Sequence, residues 1–583
     1  MTLNTVTETK IKNNITKSVS ITGAEAVVRS LIEEDIKVIF GYPGGANMPI
    51  YDALMNHHDE IHHVLGRHEQ GCAHACEGWA RVTNKATVCI ATSGPGATNF
   101  VTGIVDAHMD STPMVCILGQ VPKHLLGMDA FQETDVIGMT MGVTKWNYQV
   151  TSAEEIPAAL AKAFFIANSG RPGPVVIDIT KNAQVETMEW EGYKKCTSLR
   201  GYTPRPKVQI NKIKEAAALL NVAHRPMILA GHGVLISGAE SALQAVAEKA
   251  GIPVATTLMG LGSFSPKNEL NVGIPGMHGN YGPNLLTNQC DVLFAVGMRF
   301  DDRITGNVSK YAKQAKIIHM DIDPAEIDKI IQTDVAILAD AKDGLEALLP
   351  FLEKHTHPEW LQRFKDCDQV EYEKVKKIDL ESNGDKPKMG EIMKALDEKT
   401  KGEAIIVADV GQHQMAAMRY YQYQLPNSYV TSGGSGTMGF ALPALIGAKM
   451  GAPERTAIAI IGDGSFQMTI QELGTIFQQK IPVKIVIFNN NFLGMVRQWQ
   501  QLFFDKRYAQ TELVNPDFVK ICEGYHIPAE KVNCKKDLDG ALNRMLAHDG
   551  SYLVEVVIER EDNVFPMIPS GAAVDEMILS ENR

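Results

Sequence analysis

The feature that most constrains this chain is an alternation of short, β-branched apolar runs with longer helical stretches, repeated in three successive blocks. Strands that alternate with helices form parallel sheets, because each helix returns the chain to the start of the next strand. We therefore predict an α/β protein with three doubly wound parallel-sheet domains. The predicted strands are 37–42, 86–92, 114–119 and 174–179 in the first block, 226–231, 253–258, 292–297 and 316–323 in the second, and 404–411, 456–464, 483–490 and 552–558 in the third.

The blocks define the predicted domain boundaries. A polar N-terminal tail covers 1–18, and the domains cover 19–190, 205–354 and 388–583. The segment 190–207 is charged and contains proline, and 354–388 is polar and rich in charge, so both are interpreted as linkers. A chain of 583 residues exceeds one ordinary core, which agrees with several domains.

Composition excludes several classes of protein. The net charge of -12 leaves no basic excess for general nucleic-acid binding, although a few local arginines can still hold small anions. The nine cysteines are scattered singly, which favours reduced thiols. His68, Cys72, His74 and Cys76 lie close together but lack a second ligand pair at zinc spacing, so a helix face of small residues is the preferred interpretation. We find no secretory signal and no membrane span, and we predict a cytoplasmic protein.

Six glycine-rich segments follow predicted strands: "GYPGGAN", "TSGPGATN", "LAGHGV", "DVGQHQ", "IGDGS" and "FNNNFLG". Ligands of parallel sheets bind at the carboxyl ends of strands, where the strand order reverses. One such loop is weak support for a ligand site. Six loops in three blocks indicate more than one bound ligand.

The segment "IGDGS" places Asp463 between two glycines, and Asn490 follows the next predicted strand. The two side chains should lie at the ends of neighbouring strands, where carboxylate and amide oxygens suit Mg²⁺. Gly464 permits close approach of a phosphate, Ser465 can donate to it, and the following helix N-terminus favours an anion. The alternative is a capped turn beside an Asn-rich loop.

"GDGS" followed by "NN" at this distance is the signature of thiamine-diphosphate enzymes. The chain further resembles the catalytic subunits of the acetohydroxyacid synthase (acetolactate synthase) family, from residue 40 to 577. The segments that carry this resemblance, in family order, are "FGYPGGANMPIYDAL", "RHEQG", "ATSGPGATN", "GMDAFQETDV", "SGRPGPV", "MGLGSF", "GMHG", "RFDDR", "DIDPAEI", "VGQHQM", "GTMGFALPA", "LGMVRQWQ" and "PSGAAVDEM".

The resemblance implies three cofactors, namely thiamine diphosphate, Mg²⁺ and FAD. The first domain is then pyrimidine-binding, the second FAD-associated, and the third diphosphate- and Mg²⁺-binding with a C-terminal closing tail. It implies Mg²⁺ ligands at Asp463, Asn490 and the Phe492 carbonyl. The implied contacts are Gly411, Gln412, His413, Gly464 and Ser465 for the diphosphate, Gly436 and Met438 for the pyrimidine, and Arg171, His278, Arg299, Asp321 and Asp340 for FAD.

The resemblance also implies residues for the reaction. Glu69 would share a proton with the cofactor's pyrimidine ring in a site built from two subunits, so the protein would be a homodimer or homotetramer. Arg303 would bind the carboxylate of the second substrate, and Trp499 would favour 2-ketobutyrate. Further pocket positions would be Gly45, Phe131, Gln132, Lys145 and Met495. Without the resemblance, Glu69 would be interpreted as a helix-start residue, Arg303 as half of a surface ion pair, and Trp499 as a core residue.

The implied activity is decarboxylation of pyruvate on thiamine diphosphate and transfer of the hydroxyethyl unit to a second pyruvate or to 2-ketobutyrate. This is the first common step of valine, leucine and isoleucine biosynthesis, and a small regulatory subunit would be a partner. The alternatives are an FAD-dependent pyruvate oxidase and the catabolic acetolactate synthase; "RFDDR" and "RQWQ" argue against the latter. Glyoxylate carboligase lacks the glutamate that Glu69 matches, and intact Glu69, Asp463, Asn490 and Arg303 argue against a non-catalytic scaffold.

Overall fold

The computed structural model describes residues 19–581. Three six-stranded sheets, each fully parallel, and one antiparallel two-stranded ribbon form the framework. The prediction of three parallel-sheet α/β units is therefore confirmed. The tail predicted at 1–18 lies outside the described residues. Among residues 19–581, no helix is both long and apolar enough to cross a lipid bilayer.

The first sheet has the strand order β3-β2-β4-β5-β7-β6, and β1 pairs with β8 in the ribbon. Its strands are β1 Val19–Thr22, β2 Val38–Gly41, β3 His62–Leu65, β4 Thr87–Ala91, β5 Met114–Gln120, β6 Trp146–Val150, β7 Pro174–Thr180 and β8 Thr187–Trp190. Its helices are α1 Gly23–Glu33, α2 Met48–Leu54, α3 Glu69–Thr83, α4 Pro95–Asn99, α5 Val101–Met109, α6 Val136–Thr140, α7 Ile156–Asn168 and α8 Lys181–Val185.

The central sheet has the order β11-β10-β9-β12-β13-β14. Its strands are β9 Pro226–Ala230, β10 Val254–Thr256, β11 Asn271–Gly273, β12 Val292–Val296, β13 Lys316–Asp321 and β14 Val335–Leu338. Its helices are α9 Ile210–Val222, α10 His232–Ser237, α11 Glu240–Ala250, α12 Tyr281–Thr287, α13 Asp302–Thr305 and α14 Ala341–Leu348.

The segment interpreted as a linker at 354–388 is mostly helical, which the sequence analysis did not predict. It forms α15 Pro358–Glu371, a π-helical turn at Tyr372–Lys376 and α16 Lys377–Leu380. Its few buried side chains are spaced among many charged ones, which hides the helical pattern. One of them, Glu371, is fully buried because it pairs with Arg419 at 2.6 Å. The other predicted linker, 190–207, contains no helix, and its only β pairing beyond Trp190 is one isolated bridge.

The third sheet has the order β16-β15-β17-β18-β20-β19. Its strands are β15 Ile405–Ala408, β16 Tyr429–Thr431, β17 Ala457–Gly462, β18 Lys484–Asn489, β19 Ala529–Val532 and β20 Tyr552–Val557. Its helices are α17 Met389–Thr400, α18 Gln412–Tyr420, α19 Ala441–Gly451, α20 Asp463–Met468, α21 Leu473–Gln479, α22 Gly494–Phe503, α23 Phe518–Gly524 and α24 Lys535–Ala547.

The first and third sheets share one topology, and one apolar core joins them. Helices α3 and α19 cross at its centre through glycines. A Cβ at Gly78 would lie 1.9 Å from the Ala444 carbonyl oxygen, and one at Gly447 would lie 1.7 Å from that of Ala75. The His- and Cys-containing segment thus lies on a helix, α3, whose small residues pack against α19, and all nine cysteines are free thiols.

Candidate active site

Each sheet has an inner reversal of strand order, and glycine loops meet there; the first and third sheets reverse again at one edge, in β5-β7-β6 and β18-β20-β19. In the third sheet the reversal lies between β15 and β17, so the segments after these strands border one crevice. The pocket in that crevice, here the third-sheet pocket, has ten residues that the sequence singled out. They are Gly411, Gln412, His413, Met438, Asp463, Gly464, Ser465, Asn490, Phe492 and Met495.

Three groups whose oxygens could bind a metal ion line the third-sheet pocket. Strands β17 and β18 pair directly, as predicted, so Asp463 and Asn490 follow neighbouring strand ends. Asp463 is 1% exposed, and burial raises the pKa of its carboxyl to about 6. The backbone ladder beside Phe492 uses Leu493 N to Thr511 O and Leu513 N to Asn491 O, so it leaves the Phe492 carbonyl unused. A carboxylate, an amide and a backbone carbonyl fit a hard divalent cation.

Gln412 and His413 begin α18 and line the same pocket, and Asn490 Nδ2 donates to Gln412 Oε1 at 3.4 Å. His413 Nε2 is buried and has no hydrogen-bond partner among the described residues, and burial lowers the pKa of the ring to about 3, so the imidazole is neutral. Gln412 Nε2 donates to Gln498 Oε1 at 2.9 Å and to the Asp562 carbonyl at 2.9 Å. An orphaned buried nitrogen beside a helix N-terminus fits an anionic ligand group such as a diphosphate.

The glycine loop that precedes α19 reaches the same pocket. Gly436 has a φ of +65°, which favours glycine, and Met438 lines the third-sheet pocket two residues later. The buried Asp409 carboxylate holds the loop's end, accepting from Gly439 N at 3.0 Å and from Ala441 N at 2.8 Å. Sequence reasoning missed this role of Asp409, although the residue lies within the predicted strand 404–411 and begins the segment "DVGQHQ".

A second group gathers where the first sheet reverses, between β2 and β4; we call it the first-sheet edge. A Cβ at Gly44, next to Gly45, would meet Thr92, and one at Gly94 would lie 2.8 Å from the Gln132 carbonyl. Glu69 opens α3, and its Oε2 accepts from Asn99 Nδ2 at 2.9 Å. Glu69 is part-exposed, and neither it nor Gly45 nor Gln132 is among the described residues that line the third-sheet pocket.

The central sheet reverses between β9 and β12, and a cavity of about 210 Å³ opens there, here the central cavity. Gly233 N donates to the Gly297 carbonyl at 2.9 Å across the reversal. Five residues singled out from the sequence line it: Arg171, Arg299, Arg303, Asp321 and Asp340. Burial raises the pKa of Asp321 to about 7. This lining of strand-end glycines, acids and arginines fits a dinucleotide.

Comparison with known proteins decides the family. Three family models match in order: "Thiamine pyrophosphate enzyme, N-terminal TPP binding domain" at residues 21–139, the "central domain" at 213–348 and the "C-terminal TPP binding domain" at 409–556. The chain is 44% identical over 567 residues to the "Probable acetolactate synthase large subunit" of Methanocaldococcus jannaschii, covering 95% of each chain. It is 43% identical over 558 residues to the "Acetolactate synthase isozyme 2 large subunit" of Escherichia coli, covering 95% of this chain and 99% of that protein.

The chain belongs to the acetolactate synthase large-subunit family.

In this acetolactate synthase family member, a C-terminal tail of residues 559–581 links the third-sheet pocket to Arg303. Gln498 Nε2 donates to the Val564 carbonyl at 3.0 Å, and Ile568 N donates to the Met277 carbonyl at 2.9 Å. Arg303 Nη1 lies 3.6 Å from Met277 Sδ, and its side chain is 64% exposed. Trp499 is partly buried and packs against the apolar cluster that contains Phe565 and Met567, and its ring centroid lies 5.1 Å from that of Phe503.

Two of the predicted site residues are hydrogen-bonded away from the pockets. Lys145 Nζ donates to the carbonyls of Ile166 and Ser169 and to the Tyr202 hydroxyl, so it caps the end of α7. His278 does not line the central cavity, because its Nδ1 contacts the Pro566 carbonyl at 3.2 Å in the tail. Phe131 is 88% exposed next to Gln132.

Asn515 holds the side-chain oxygens of two site residues in place, and the sequence analysis did not identify it. Its Nδ2 donates to Asp463 Oδ2 at 2.6 Å and to Asn489 Oδ1 at 3.0 Å, which fixes the Asp463 carboxylate. No strand or glycine pattern marks Asn515, since it lies in an irregular segment. Such a supporting residue is found only by its contacts.

Proposed function

We propose that this chain is the catalytic subunit of an acetolactate synthase. It decarboxylates pyruvate and transfers the two-carbon hydroxyethyl unit to a second pyruvate or to 2-ketobutyrate, giving 2-acetolactate or 2-aceto-2-hydroxybutyrate and CO₂. The observation that carries the proposal is the third-sheet pocket, which is lined by Asp463, Asn490 and Phe492 together with His413, whose buried Nε2 has no hydrogen-bond partner among the described residues.

Thiamine diphosphate, when bound, supplies the nucleophilic carbon that attacks the keto group of pyruvate. We propose that Asp463, Asn490 and the Phe492 carbonyl would hold Mg²⁺, which would offset the negative charge of the diphosphate. Gly411, Gln412, His413, Gly464 and Ser465 would surround the diphosphate oxygens, because these residues line the same pocket. Gly436 and Met438 would meet the pyrimidine from the glycine loop, and Met495 closes another wall.

Glu69 would hold the proton that it shares with a ring nitrogen of the pyrimidine. In a single chain it lies at the first-sheet edge, beside Gly45 and Gln132, and faces partly into solvent. The edge also carries large exposed apolar side chains, among them Phe131 and Met128. We therefore propose a homodimer or homotetramer in which this edge covers the third-sheet pocket of another copy.

Arg303 and Trp499 flank the tail and would select the second substrate. The guanidinium of Arg303 is exposed and suits a carboxylate, whereas the Trp499 ring offers an apolar contact for the extra methyl group of 2-ketobutyrate. Such a contact contributes roughly 1–3 kcal/mol, which is enough to set a preference.

The central cavity would hold FAD through Arg171, Arg299, Asp321 and Asp340. The reaction transfers no electrons overall, so the bound flavin would support the structure. Lys145 and His278 remain proposed only as neighbours of the sites, because each is hydrogen-bonded elsewhere. The relatives named large subunits support a small regulatory subunit as partner. A cytoplasmic location stays a prediction.

The test is formation of 2-acetolactate from pyruvate by the purified chain. We expect activity that requires thiamine diphosphate and Mg²⁺, and a Glu69→Gln variant that still binds both but reacts at least about a hundredfold more slowly. A control variant, Glu60→Gln, changes an exposed glutamate at the end of the loop before β3 and should react like wild type. Full activity without thiamine diphosphate, or in Glu69→Gln, would overturn the proposal.

A further inference from the structure

A buried cluster of ionisable side chains joins the first and third domains at a point that the reaction does not use. Arg81 on α3, and Asp106 and Asp110 at the end of α5, pack against the glycine loop 432–438 of the third domain. All three are at most 5% exposed. Charged groups are costly to bury unless they are paired, so their contacts identify what they hold.

The Asp110 carboxylate grips the backbone of this loop. Its Oδ2 accepts from Gly433 N and its Oδ1 from Gly434 N, both at 2.7 Å, and Arg81 Nη1 lies 3.7 Å from Oδ2. Arg81 also donates to the Thr431 carbonyl at 3.3 Å. A Cβ at Gly434 would lie 3.0 Å from Asp110 Oδ1, so the glycine allows the carboxylate to approach. Two short charge-assisted bonds fix two successive peptide units.

Ser432 closes the same loop from inside. Its hydroxyl donates to Asp106 Oδ1 at 2.9 Å and accepts from Thr437 N at 2.8 Å. The two ends of the segment 432–437 are therefore tied together, and the serine is tied to α5. The loop cannot shift at one end without changing the other.

The loop also touches both proposed cofactor sites. Gly433 lines the central cavity together with Asp110, Met259 and Arg299, whereas Met438 lines the third-sheet pocket. A Cβ at Gly434 would lie 3.4 Å from Arg299 Nη2. Four residues thus separate a wall of one site from a wall of the other, and Asp110 binds the backbone at Gly433 and Gly434.

We propose that Asp110 is a positioning residue which sets the geometry of loop 432–438 and so couples occupancy of the central cavity to binding in the third-sheet pocket. The inference rests on the proposed function only for the identity of the two ligands, FAD and thiamine diphosphate. FAD that seats against Gly433 and Arg299 stabilises the loop position in which Gly436 and Met438 accept the pyrimidine. By linkage, each ligand tightens the binding of the other.

The experiment measures the dissociation constant of thiamine diphosphate on the full chain, prepared free of cofactors, at fixed Mg²⁺ with and without saturating FAD. Quenching of tryptophan fluorescence reports binding, and circular dichroism checks folding. In wild type we expect FAD to tighten binding about fivefold or more. In Asp110→Asn we expect both cofactors to bind about tenfold more weakly and the effect of FAD on thiamine diphosphate to disappear.

Asp178→Asn is the matched control, because Asp178 is also fully buried in the first domain but accepts from Gln120 and Gln149, away from the loop. It should keep the wild-type coupling factor. Wild-type coupling in Asp110→Asn, or an absence of coupling in a wild type that binds both cofactors and forms acetolactate, would overturn this inference alone. A wild type that binds neither cofactor would overturn the proposed function as well.

If Asp110→Asn does not fold, Ser432→Ala tests the proposal instead, because this substitution leaves Arg81, Asp106 and Asp110 unchanged. It removes the bonds to Asp106 and Thr437 N but leaves the Asp110 contacts with Gly433 and Gly434. We expect a reduced but measurable coupling factor. A factor equal to that of wild type would contradict a role for the loop.

Discussion

At the scale of single residues, the glycines on either side of Asp463 explain its position. Gly462 has no side chain to occupy the space of the His413 ring, since a Cβ there would lie 2.9 Å from His413 Cε1. A Cβ at Gly464 would lie 2.8 Å from Leu493 Cδ2. The glycines therefore let two strand ends and a helix start approach one small pocket, with the carboxylate between them.

The variant Asp463→Asn tests whether Asp463 is a metal ligand or only caps a turn. Because burial raises the pKa of Asp463 to about 6, the ionised carboxylate destabilises the cofactor-free fold near pH 7.5, and a neutral amide removes this penalty. We expect an unfolding temperature that is unchanged or higher, with activity reduced at least about a hundredfold. Asp517→Asn, at an exposed helix N-cap, is the control and should leave activity intact. More than half of wild-type activity in Asp463→Asn would favour the capped turn.

Lys145→Met tests whether Lys145 acts in the site or in the fold. Burial lowers the pKa of Lys145 to about 8, and its bonds to Ile166 and Ser169 satisfy carbonyls at the end of α7. We expect a loss of about 1–3 kcal/mol in the free energy of unfolding and little change in the KM for pyruvate. Lys484→Met is the matched control, since Lys484 Nζ likewise binds two carbonyls far from the site. A large rise in the KM for pyruvate without a loss of stability would indicate that Lys145 acts in the substrate pocket.

At the scale of elements, the sequence predicted the central strands well and the edges poorly. The runs at 114–119 and 483–490 are apolar on both faces because helices cover them, and both became strands at those places. Edge strands such as β6, β14 and β19 were missed, because they are short or partly polar. The helices of 358–380 were missed for the same reason, since most of their surface is charged.

The candidate site shows the same division. Residues that follow a strand end, such as His413, Asp463 and Asn490, could be placed from the sequence because topology brings strand ends together. Asp110 and Asn515 act through hydrogen bonds across hundreds or tens of residues of chain, and no local pattern encodes such partners. Lys145 matched the family pattern but has its own partners within one chain.

Gly78→Ala tests the crossing of α3 and α19. A Cβ at Gly78 would lie 1.9 Å from a backbone oxygen of α19, so the helices must separate. We expect a loss of at least about 2 kcal/mol in the free energy of unfolding, measured by denaturant titration. Gly524→Ala, at the exposed end of α23 with no atom within 4 Å of its Cβ position, should leave stability unchanged or slightly improve it. Equal stability of the two variants would contradict the tight crossing.

At the scale of the whole molecule, the buried acids make stability depend on pH. Burial raises the pKa of Asp321 to about 7 and that of Asp106 to about 8, so the folded state binds more protons than the unfolded state up to pH 8. Stability from these groups therefore falls as pH rises. His63, His278 and His413 have lowered pKa values of about 4, 4 and 3, and they oppose this trend only below about pH 6.5.

We therefore expect the unfolding temperature of the cofactor-free chain to fall from pH 6.5 to 8. Asp106→Asn should flatten this slope, because it removes the group that titrates at about 8. Asp178→Asn should keep it, because burial raises the pKa of Asp178 only to about 6. Thermal unfolding at four pH values measures the slope. A rise in unfolding temperature over this range would contradict the assignment of buried neutral acids.

Each parallel sheet has an inner reversal of strand order, and each of these inner reversals carries residues that the sequence had singled out. The central claim, that the molecule joins two ketoacids, is tested most directly by one competition experiment. The purified protein receives pyruvate and 2-ketobutyrate together with thiamine diphosphate, Mg²⁺ and FAD, and both acetohydroxyacids and oxygen uptake are quantified. We predict excess 2-aceto-2-hydroxybutyrate with negligible oxygen use. Stoichiometric oxygen uptake without acetohydroxyacids would contradict the account and identify a pyruvate oxidase.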